Sequence, residues 1–403
     1  MSRGPDLHVV GVSHHTAEVA IRERLALSTE EIARCLQAEA TAGRSLVILS
    51  TCNRLEFYWW GSADREPEFR RFAAERAVSL DPTLCYRHDG EPAVRHLFRV
   101  AAGLDSQVMG EVEILGQIRR AHRLGAAAGA SRWEMDLAFA AAVTAGRRAR
   151  RHSVLGRHPA SVSDAAVQHA ARCVGGSLAG SSVLVLGAGE AAVGVLRALE
   201  MQGGAARVTL SSRRTERCRA LAASVPRANA VAADWSSLGE ELARADVVAA
   251  ATASRRPVLD AGALAEAVRG RNQHFGLVVL DLGVPRNVAV AARDIPGVRL
   301  FDLDDLRLQH CPATGLNAPA LDAVTHTLER ELEHYDRALR RRDAAAELAE
   351  LHRLGAVLAR EEAERAIAEL GTIPEEHGEV VRRMAERLTR RLLYPASRTL
   401  RSR

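Results

Sequence analysis

The segment 182–192 reads Ser-Val-Leu-Val-Leu-Gly-Ala-Gly-Glu-Ala-Ala and constrains the fold of this chain more than any other. An apolar run leads into Gly187-x-Gly189-x-x-Ala192, the pattern then turns helical, and a second apolar run follows at 207–211. Glycines in such a strand–helix–strand unit let the backbone approach a pyrophosphate at the N-terminus of the helix. The segment therefore predicts a Rossmann-like parallel sheet that binds a dinucleotide.

The end of the second apolar run favours NADPH over NADH. An NAD site usually offers a carboxylate to the ribose hydroxyls at this point, whereas this chain has Ser-Ser-Arg-Arg at 211–214. Two guanidinium groups and two hydroxyls suit a 2′-phosphate. The predicted cofactor-binding residues are Gly187, Ala188, Gly189, Glu190, Ala191, Ala192, Ser211, Arg213 and Arg214.

A second stretch, at 46–60, consists of two β-prone apolar runs around Ser50-Thr51-Cys52-Asn53-Arg54. A thiol reacts as its thiolate, and the guanidinium of Arg54 could lower the pKa of Cys52. The same fork could instead hold a substrate carboxylate through two parallel hydrogen bonds. A cysteine beside an apolar strand is, however, more often a small buried hydrophobe. The stretch alone leaves these readings open.

All 55 basic residues of the chain are arginines, because the sequence contains no lysine. Schiff-base chemistry, a pyridoxal phosphate anchor and a Walker A loop are therefore excluded. The six cysteines include no Cys-x-x-Cys pair, so we expect free thiols and no metal. No apolar run approaches the roughly 20 residues of a membrane span, and the N-terminus lacks a signal-peptide core. We therefore expect a cytoplasmic protein without a membrane partner.

The chain of 403 residues is too long for one ordinary core, and its pattern predicts a multi-domain α/β protein with three parts. Residues 1–157 predict an α+β domain in which the sheet precedes the helices. Residues 158–312 predict the Rossmann-like domain. Residues 313–403 predict a long connecting helix and an all-helical domain, because apolar residues repeat at steps of three and four over 321–339. Such a stripe favours packing against a second copy of the chain, or against the chain's own domains.

Two polar features lie in the helical part of the first domain. Ser106, Gly110, Glu113 and Gln117 fall on one stripe at helical spacing, and this stripe is small, polar and free of arginine. The run Arg-Arg-Ala-Arg-Arg-His at 147–152 is the densest basic cluster of the first half. It suits a nucleic-acid contact or a solvated helix end.

Several motifs carry a family resemblance. They are Gly-Val-Ser-His-His-Thr-Ala at 11–17, Ile-Arg-Glu-Arg-Leu at 21–25, Ser-Thr-Cys-Asn-Arg at 50–54, Gly-Leu-Asp-Ser at 103–106 with Gly110, Glu111 and Gln117, Gly-Ala-Gly at 187–189, and Leu-Leu-Tyr-Pro at 392–395. With these motifs the sequence resembles the glutamyl-tRNA reductases over essentially its whole length.

The resemblance implies a cysteine thiolate that takes the glutamyl group from glutamyl-tRNA(Glu) as a thioester. NADPH then reduces it to glutamate-1-semialdehyde, the first step of 5-aminolevulinate and tetrapyrrole synthesis. It also implies an N-terminal catalytic domain, a C-terminal dimerisation domain, a homodimer and, as a candidate partner, glutamate-1-semialdehyde aminomutase. The catalytic residues carried over are Cys52 and His96, and the substrate-binding residues are Thr51, Asn53, Arg54, Ser106, Glu111, Val112, Glu113 and Gln117.

Five positions depart from the pattern of that family. Glu113 stands where the family generally has glutamine, so the site gains a possible negative charge that would pair with the substrate ammonium or weaken carboxylate binding. His15, Ala253-Ser254 and Tyr394 are the other departures, and none of them removes a catalytic group. Two alternatives stay open: a cysteine-dependent NADP dehydrogenase for another activated acyl substrate, and a specialised or non-catalytic relative that binds tRNA.

Overall fold

The computed structural model describes residues 6–62, 64–111, 113–151, 161–269, 276–309 and 318–401. The predicted substrate-binding residue Val112 and both predicted domain boundaries, 157/158 and 312/313, lie outside these ranges. The chain divides into two compact units, Met1–Leu328 and Glu329–Arg403.

The N-terminal part of the first unit is an α+β fold built on an antiparallel sheet with strand order β2-β3-β1-β4. Its elements are β1 (Asp6–Ser13), α1 (Val19–Leu25), α2 (Thr29–Thr41), β2 (Val47–Ser50), β3 (Arg54–Gly61), α3 (Glu66–Ala74), β4 (Tyr86–Asp89), α4 (Glu91–Ala102), α5 (Glu113–Ala127) and α6 (Trp133–Arg151). The α+β prediction is confirmed, but the expected order is wrong for α1 and α3, which also lie between strands; the helix α2 stands where the capping sequence at Ser28 predicts it. The reason is that β1 pairs with the later strands β3 and β4, so the chain leaves the sheet after β1 and returns to it.

Local sequence accounts for several of these elements. Ser28 and Glu31 form a reciprocal capping box at the start of α2, as their spacing predicts. Along β1 and β3 apolar side chains fill a core that includes Val10, Val12 and Trp59. The register pairs Ser13 with Arg54, which puts the end of β1 beside the turn that carries Cys52.

The rest of the first unit contains a parallel six-stranded sheet with order β10-β9-β8-β5-β6-β7. Its elements are α7 (Val162–Cys173), β5 (Ser182–Leu186), α8 (Glu190–Met201), β6 (Arg207–Ser211), α9 (Thr215–Ser224), β7 (Ala230–Ala233), α10 (Leu238–Arg244), β8 (Val247–Ala250), α11 (Ala261–Val268), β9 (Leu277–Asp281), β10 (Val298–Phe301) and α12 (Leu303–Gln309). Numbered from β5, this is the Rossmann order 3-2-1-4-5-6, whose switch point lies between β5 and β8. The predicted Rossmann-like domain is confirmed.

The C-terminal unit is helical, as predicted. The helices are α13 (Ala318–Leu370) and α14 (Glu375–Arg401). They cross closely, because a Cβ placed on Gly355 would lie 2.8 Å from Cδ1 of Leu393, and Arg382 pairs with Glu364 at 2.7 Å. Large apolar side chains stay exposed on both helices, namely Leu354, Val357, Leu358, Val380, Met384, Leu388 and Leu392. In the described ranges, no helix has the length and apolar character that crossing a bilayer requires.

Candidate active site

Cys52 lies at the tip of the turn that joins β2 to β3. The backbone N–H of Thr51 donates to the carbonyl of Arg54 over 2.9 Å. The hydroxyl of Thr51 accepts hydrogen bonds from the backbone N–H groups of Asn53 and Arg54 at 3.1 and 3.2 Å. A hydroxyl that binds N–H groups two and three residues on closes a turn locally. The hydroxyl of Thr51 therefore closes the turn that carries the thiol through local contacts.

The thiol of Cys52 packs against the apolar core of the Rossmann-like domain. Burial raises the pKa of Cys52 to about 12, and the carboxylates of Glu111 and Glu113 add to the rise, while Arg22 opposes it. The guanidinium that acts most on the pKa of this thiol is thus Arg22, whereas the sequence pointed to Arg54. The thiol is neutral at physiological pH in this arrangement, so formation of the thiolate requires a change in the charges around it.

Arg54 is fully buried, and its terminal guanidinium nitrogens bind carboxylates of the chain itself. Its Nη1 lies 2.8 Å from Oε1 of Glu56 and 2.9 Å from Oδ2 of Asp105, and its Nη2 donates to the carbonyl of Asp105. These partners hold the pKa of Arg54 well above its usual value, although burial acts in the opposite direction. Because its charge is neutralised locally, Arg54 does little to the thiol. Its role as partner of the substrate carboxylate stays a prediction.

Glu56 is the hub of a buried polar cluster beneath this turn. Its carboxylate accepts hydrogen bonds from Arg54 at 2.8 Å, from the hydroxyls of Tyr58 and Tyr86 at 2.8 and 2.6 Å, and from Nε2 of His96 at 2.7 Å. Burial by itself would raise the pKa of Glu56, but Arg54 and His96 lower it to about 2. The structure thus gives His96 a bond to Glu56, and its catalytic role stays a prediction.

The loop 103–111 brings Ser106 and Glu111 together. Gly103 ends α4 with φ = 76°, a backbone conformation that glycine adopts without strain, and its carbonyl accepts the N–H of Gly110 at 2.9 Å. A Cβ on Gly103 would lie 3.0 Å from the backbone nitrogen of Glu111. Burial raises the pKa of Glu111, and a hydrogen bond with Ser106 opposes the rise. The polar stripe is therefore partly a closed loop rather than a continuous helical face.

Glu113 begins α5 and faces the Rossmann-like domain. Its Oε1 would lie 3.3 Å from a Cβ placed on Gly194 of α8. Burial raises the pKa of Glu113 to about 7, and Glu111 and Glu190 contribute to the rise. Gln117 follows one turn later on the same helix and is half-buried. Glu113 therefore lies where the two domains of the first unit meet.

Asn53 is another predicted substrate-binding residue. It is 4% exposed, and its carbonyl accepts the backbone N–H of His14 at 2.8 Å. Its side-chain Oδ1 has no hydrogen-bond partner among the described residues. Buried polar atoms are rarely left without a partner, so this oxygen has the capacity to accept a hydrogen bond from a ligand.

The predicted dinucleotide site has the backbone that close approach to a pyrophosphate requires. Gly187 follows β5 with φ = 117°, and a Cβ there would lie 2.2 Å from the carbonyl oxygen of Ala251. Gly189 caps α8 and has open space where a Cβ would be. Ala188 and Ala191 are half-buried, Glu190 is exposed, and Ala192 is fully buried in the domain core.

The residues predicted to bind a 2′-phosphate follow β6, next to this glycine turn. The carbonyl of Ser211 accepts the N–H of Gly187 at 2.9 Å, and the buried Oγ of Ser211 has no partner among the described residues. Arg213 and Arg214 are exposed at the start of α9. Ser211 is itself buried, so the binding of a 2′-phosphate by these three residues stays a prediction.

Polar contacts join the two domains around the thiol. Arg286 of the Rossmann-like domain binds Glu23 of α1 through two guanidinium nitrogens, at 2.9 and 2.6 Å. Gln107 donates to the carbonyl of Leu303, which begins α12. These contacts join the N-terminal domain to the Rossmann-like domain.

Sequence reasoning missed three residues of the site: Arg22, Glu56 and Asp105. A charged pair two residues apart in an apolar strand was the available signal for Glu56, because alternate residues of a strand share a face. Asp105 lies inside the Gly-Leu-Asp-Ser motif. Arg22 lies inside the Ile-Arg-Glu-Arg-Leu motif, but its contacts span distant parts of the chain, so the motif did not show its partners.

Comparisons with known proteins match all three parts of the chain. The family "Glutamyl-tRNAGlu reductase, N-terminal domain" matches residues 10–153, "Shikimate / quinate 5-dehydrogenase" matches 168–308, and "Glutamyl-tRNAGlu reductase, dimerisation domain" matches 323–403.

Whole proteins of the same name also match over nearly the full length. Glutamyl-tRNA reductase of Myxococcus xanthus is 34% identical over 404 residues, covering 98% of this chain and 89% of that protein. The reductase of Chloroflexus aggregans is 34% identical over 417 residues, with coverages of 98% and 90%. The structure of glutamyl-tRNA reductase from Methanopyrus kandleri superposes with a TM-score of 0.52 at 31% identity, covering 98% of both chains. This chain therefore belongs to the glutamyl-tRNA reductase family.

Proposed function

We propose that this chain reduces glutamyl-tRNA to glutamate-1-semialdehyde through a thioester on Cys52. The observation that supports the proposal is the position of the thiol, which lies at the tip of a turn in the N-terminal domain and packs against the core of the Rossmann-like domain. Acyl transfer and reduction act on the same carbonyl carbon, so the nucleophile and the dinucleotide site must adjoin.

In the first step, the thiolate of Cys52 attacks the carbonyl carbon of the ester that links glutamate to the tRNA 3′ end. A carbon–sulfur bond forms, the ester carbon–oxygen bond breaks, and the ribose oxygen leaves with a proton, which His96 is proposed to supply. The side chains proposed to hold the aminoacyl group are Thr51, Asn53, Arg54, Ser106, Glu111, Glu113 and Gln117.

Substrate binding itself would activate the thiol. Glu111 and Glu113 raise the pKa of Cys52, so a cation placed beside them has the opposite effect. The substrate's α-ammonium is such a cation. The thiolate would then form mainly when the substrate is bound, and the free enzyme would keep a protected, neutral thiol.

The residues after β5 and β6 fit NADPH. Gly187 and Gly189 leave room for a pyrophosphate, Ser211 offers a buried hydroxyl without a partner among the described residues, and Arg213 and Arg214 provide two cations. When bound there, NADPH supplies the hydride that turns the acyl group into an aldehyde. The chain's own part in that step is to release Cys52 as a thiolate.

The segment 113–151 is the proposed docking surface for the tRNA acceptor end. It carries eight arginines against three carboxylates, a surplus of five that equals the formal charge of the whole chain, +5. Seven of these arginines are exposed, and Arg119, Arg120, Arg147 and Arg151 form no ion pair with a described carboxylate. Arg150 instead binds the carbonyl of Glu111, which places the end of α6 beside the site.

A homodimer is proposed for the C-terminal unit. The match to the family's dimerisation domain and the exposed apolar side chains of α13 and α14 support a second copy as the partner. The aminomutase that would take up the reactive aldehyde stays a predicted partner, and the cytoplasm stays the predicted location.

A single-turnover assay with glutamyl-tRNA tests the proposal. Without NADPH we expect a glutamyl adduct on Cys52, and with NADPH we expect the semialdehyde. Cys52→Ser should form neither while keeping its affinity for the tRNA. Aldehyde formation by Cys52→Ser would refute the thioester, and tRNA binding without any adduct in the unaltered chain would favour a non-catalytic relative.

A salt series of tRNA binding separates the proposal from a dehydrogenase of small acyl substrates. Loss of phosphate contacts lowers the slope of log affinity against log salt by about one per residue, so Arg147→Ser with Arg151→Ser should lower it by about two. Arg219→Ser with Arg227→Ser, two exposed arginines of the other domain, is the matched control. Absence of binding at low salt would contradict the reductase assignment.

A further inference from the structure

Arg22 is a buried arginine that joins three separate parts of the first unit. Its side chain is 2% exposed and lies in α1. Its Nε donates to the carbonyl of Ala17 at 3.1 Å, its Nη1 donates to the carbonyl of Cys52, and its Nη2 lies 2.5 Å from Oδ1 of Asp304. One terminal nitrogen of the guanidinium therefore binds the carbonyl group of Cys52, and the other binds Asp304 of the Rossmann-like domain.

Asp304 completes this joint from the Rossmann-like domain. It belongs to α12, and its second oxygen accepts the backbone N–H of Val19 at 2.6 Å. One carboxylate thus binds both the start of α1 and the guanidinium that holds the Cys52 turn. A planar guanidinium group with one nitrogen bound to a carboxylate has little freedom to rotate. The nitrogen of Arg22 that binds the carbonyl of Cys52 is therefore held in place too.

The charged groups that act on the thiol come from three elements. Glu111, in the loop before α5, and Glu113, at the start of α5, disfavour the thiolate, while Arg22 of α1 favours it. Arg54 is closer in sequence but is neutralised by Glu56 and Asp105. Arg22 is therefore the cation in a position to stabilise the nucleophile.

We propose that Arg22 is a positioning residue which couples docking of the Rossmann-like domain, through Asp304, to the orientation and ionisation of Cys52. The nucleophile is then most reactive when the hydride-delivering domain is in place. The proposal rests on the proposed function, in which Cys52 is the nucleophile and the Rossmann-like domain holds the hydride donor. The test of the thiol needs neither tRNA nor NADPH.

The rate at which iodoacetamide alkylates Cys52 in the full chain, followed by mass spectrometry of the peptide that contains it, reports the thiolate fraction. Arg22→Gln removes the cation and should lower this rate at pH 8 about tenfold, as a rise of one pKa unit predicts. Arg22→Lys keeps the charge and should recover part of the loss. Asp304→Asn keeps Arg22 but releases its second arm, and should lower the rate severalfold.

Glu23→Gln is the matched control, because Glu23 joins the same two domains through Arg286 without touching the Cys52 turn. It should leave the alkylation rate unchanged. The inference is overturned if Arg22→Gln alkylates like the unaltered chain, or if Glu23→Gln slows alkylation as much as Asp304→Asn. Thermal unfolding shows whether each variant is folded. If Arg22→Gln is not folded, the comparison of the alkylation rates of Asp304→Asn and Glu23→Gln tests the proposal.

The failure of the proposed function gives a different result. If the unaltered chain formed no glutamyl adduct, the assignment of the substrate would fail, whereas the alkylation rates would still show whether Arg22 and Asp304 control the thiol. If the adduct forms, Arg22→Gln should slow its formation about tenfold with tRNA affinity unchanged.

Discussion

The Nη1 atom of Arg54 lies 2.8 Å from Oε1 of Glu56, and both side chains are completely buried. The two residues are neighbours on one face of β3. The carboxylate of Asp105 also accepts from Arg54, and Tyr58, Tyr86 and His96 donate to Glu56. Buried ion pairs gain little over apolar packing but become costly once one partner is removed. The stability of the buried polar cluster beneath the Cys52 turn is therefore sensitive to single substitutions in this pair.

Glu56→Gln should lower the free energy of unfolding of the N-terminal domain by about 3 kcal/mol, because it leaves Arg54 as a buried cation with only one carboxylate nearby. Urea unfolding followed by tryptophan fluorescence measures the change. Glu216→Gln removes one partner of an exposed pair with Arg219 and should have almost no effect. Equal stability of the two variants would contradict the importance of the buried cluster.

Glu113→Gln should make the protein more stable at high pH. The pKa of Glu113 is about 7 in the folded chain against an ordinary 4.5, so ionisation costs free energy in the folded state and stability falls as pH rises between these values. At about 1.4 kcal/mol per pKa unit, the variant should gain about 3 kcal/mol at pH 8 and nothing at pH 4. Unfolding curves over this pH range measure it. A gain that did not depend on pH would contradict the shifted pKa, and Glu75→Gln, at an exposed position, serves as control.

Gly187→Ala and Gly189→Ala should differ in kind. A Cβ on Gly187 meets the carbonyl of Ala251 at 2.2 Å, so the first variant should unfold at a lower temperature and lose cofactor affinity. Gly189 has open space, so the second should keep its stability and lose affinity only, because the methyl group occupies the place of the pyrophosphate. Thermal unfolding and cofactor titration of both variants give the comparison. Unimpaired NADPH binding by Gly189→Ala would move the pyrophosphate elsewhere.

Arg213→Ser with Arg214→Ser should shift the cofactor preference from NADPH toward NADH. Loss of two charge-assisted contacts to a 2′-phosphate, each contributing about 1.5 to 3 kcal/mol, predicts a fall of at least about a hundredfold in the ratio of kcat/KM values. Arg227→Ser, at an exposed site of the same domain, is the control. An unaltered ratio would place the 2′-phosphate away from the end of β6.

The local parts of this protein were predictable from its sequence. Gly187 and Gly189 identified the Rossmann-like domain. At Gly187 only glycine allows the turn to approach the carbonyl of Ala251, and Gly189 leaves open space at the N-terminus of α8. The turn around Cys52 is closed by the hydroxyl of Thr51, three residues or fewer from each of its partners. Predictions failed where the result depended on which strands pair with each other. The positions of α1 and α3 between strands of the N-terminal sheet are the example.

The sequence by itself therefore determined the division into an α+β part, a Rossmann-like part and a helical part, and its motifs predicted Cys52 as the nucleophile. Only the tertiary structure decided which charges act on that thiol. Arg54 is two residues away and is neutralised by Glu56 and Asp105, while Arg22 reaches Asp304 across 282 residues of sequence. The physical reason is that burying a charge without a partner costs free energy. A buried charge is therefore paired with groups that lie near it in the folded structure, which need not be near it in the sequence.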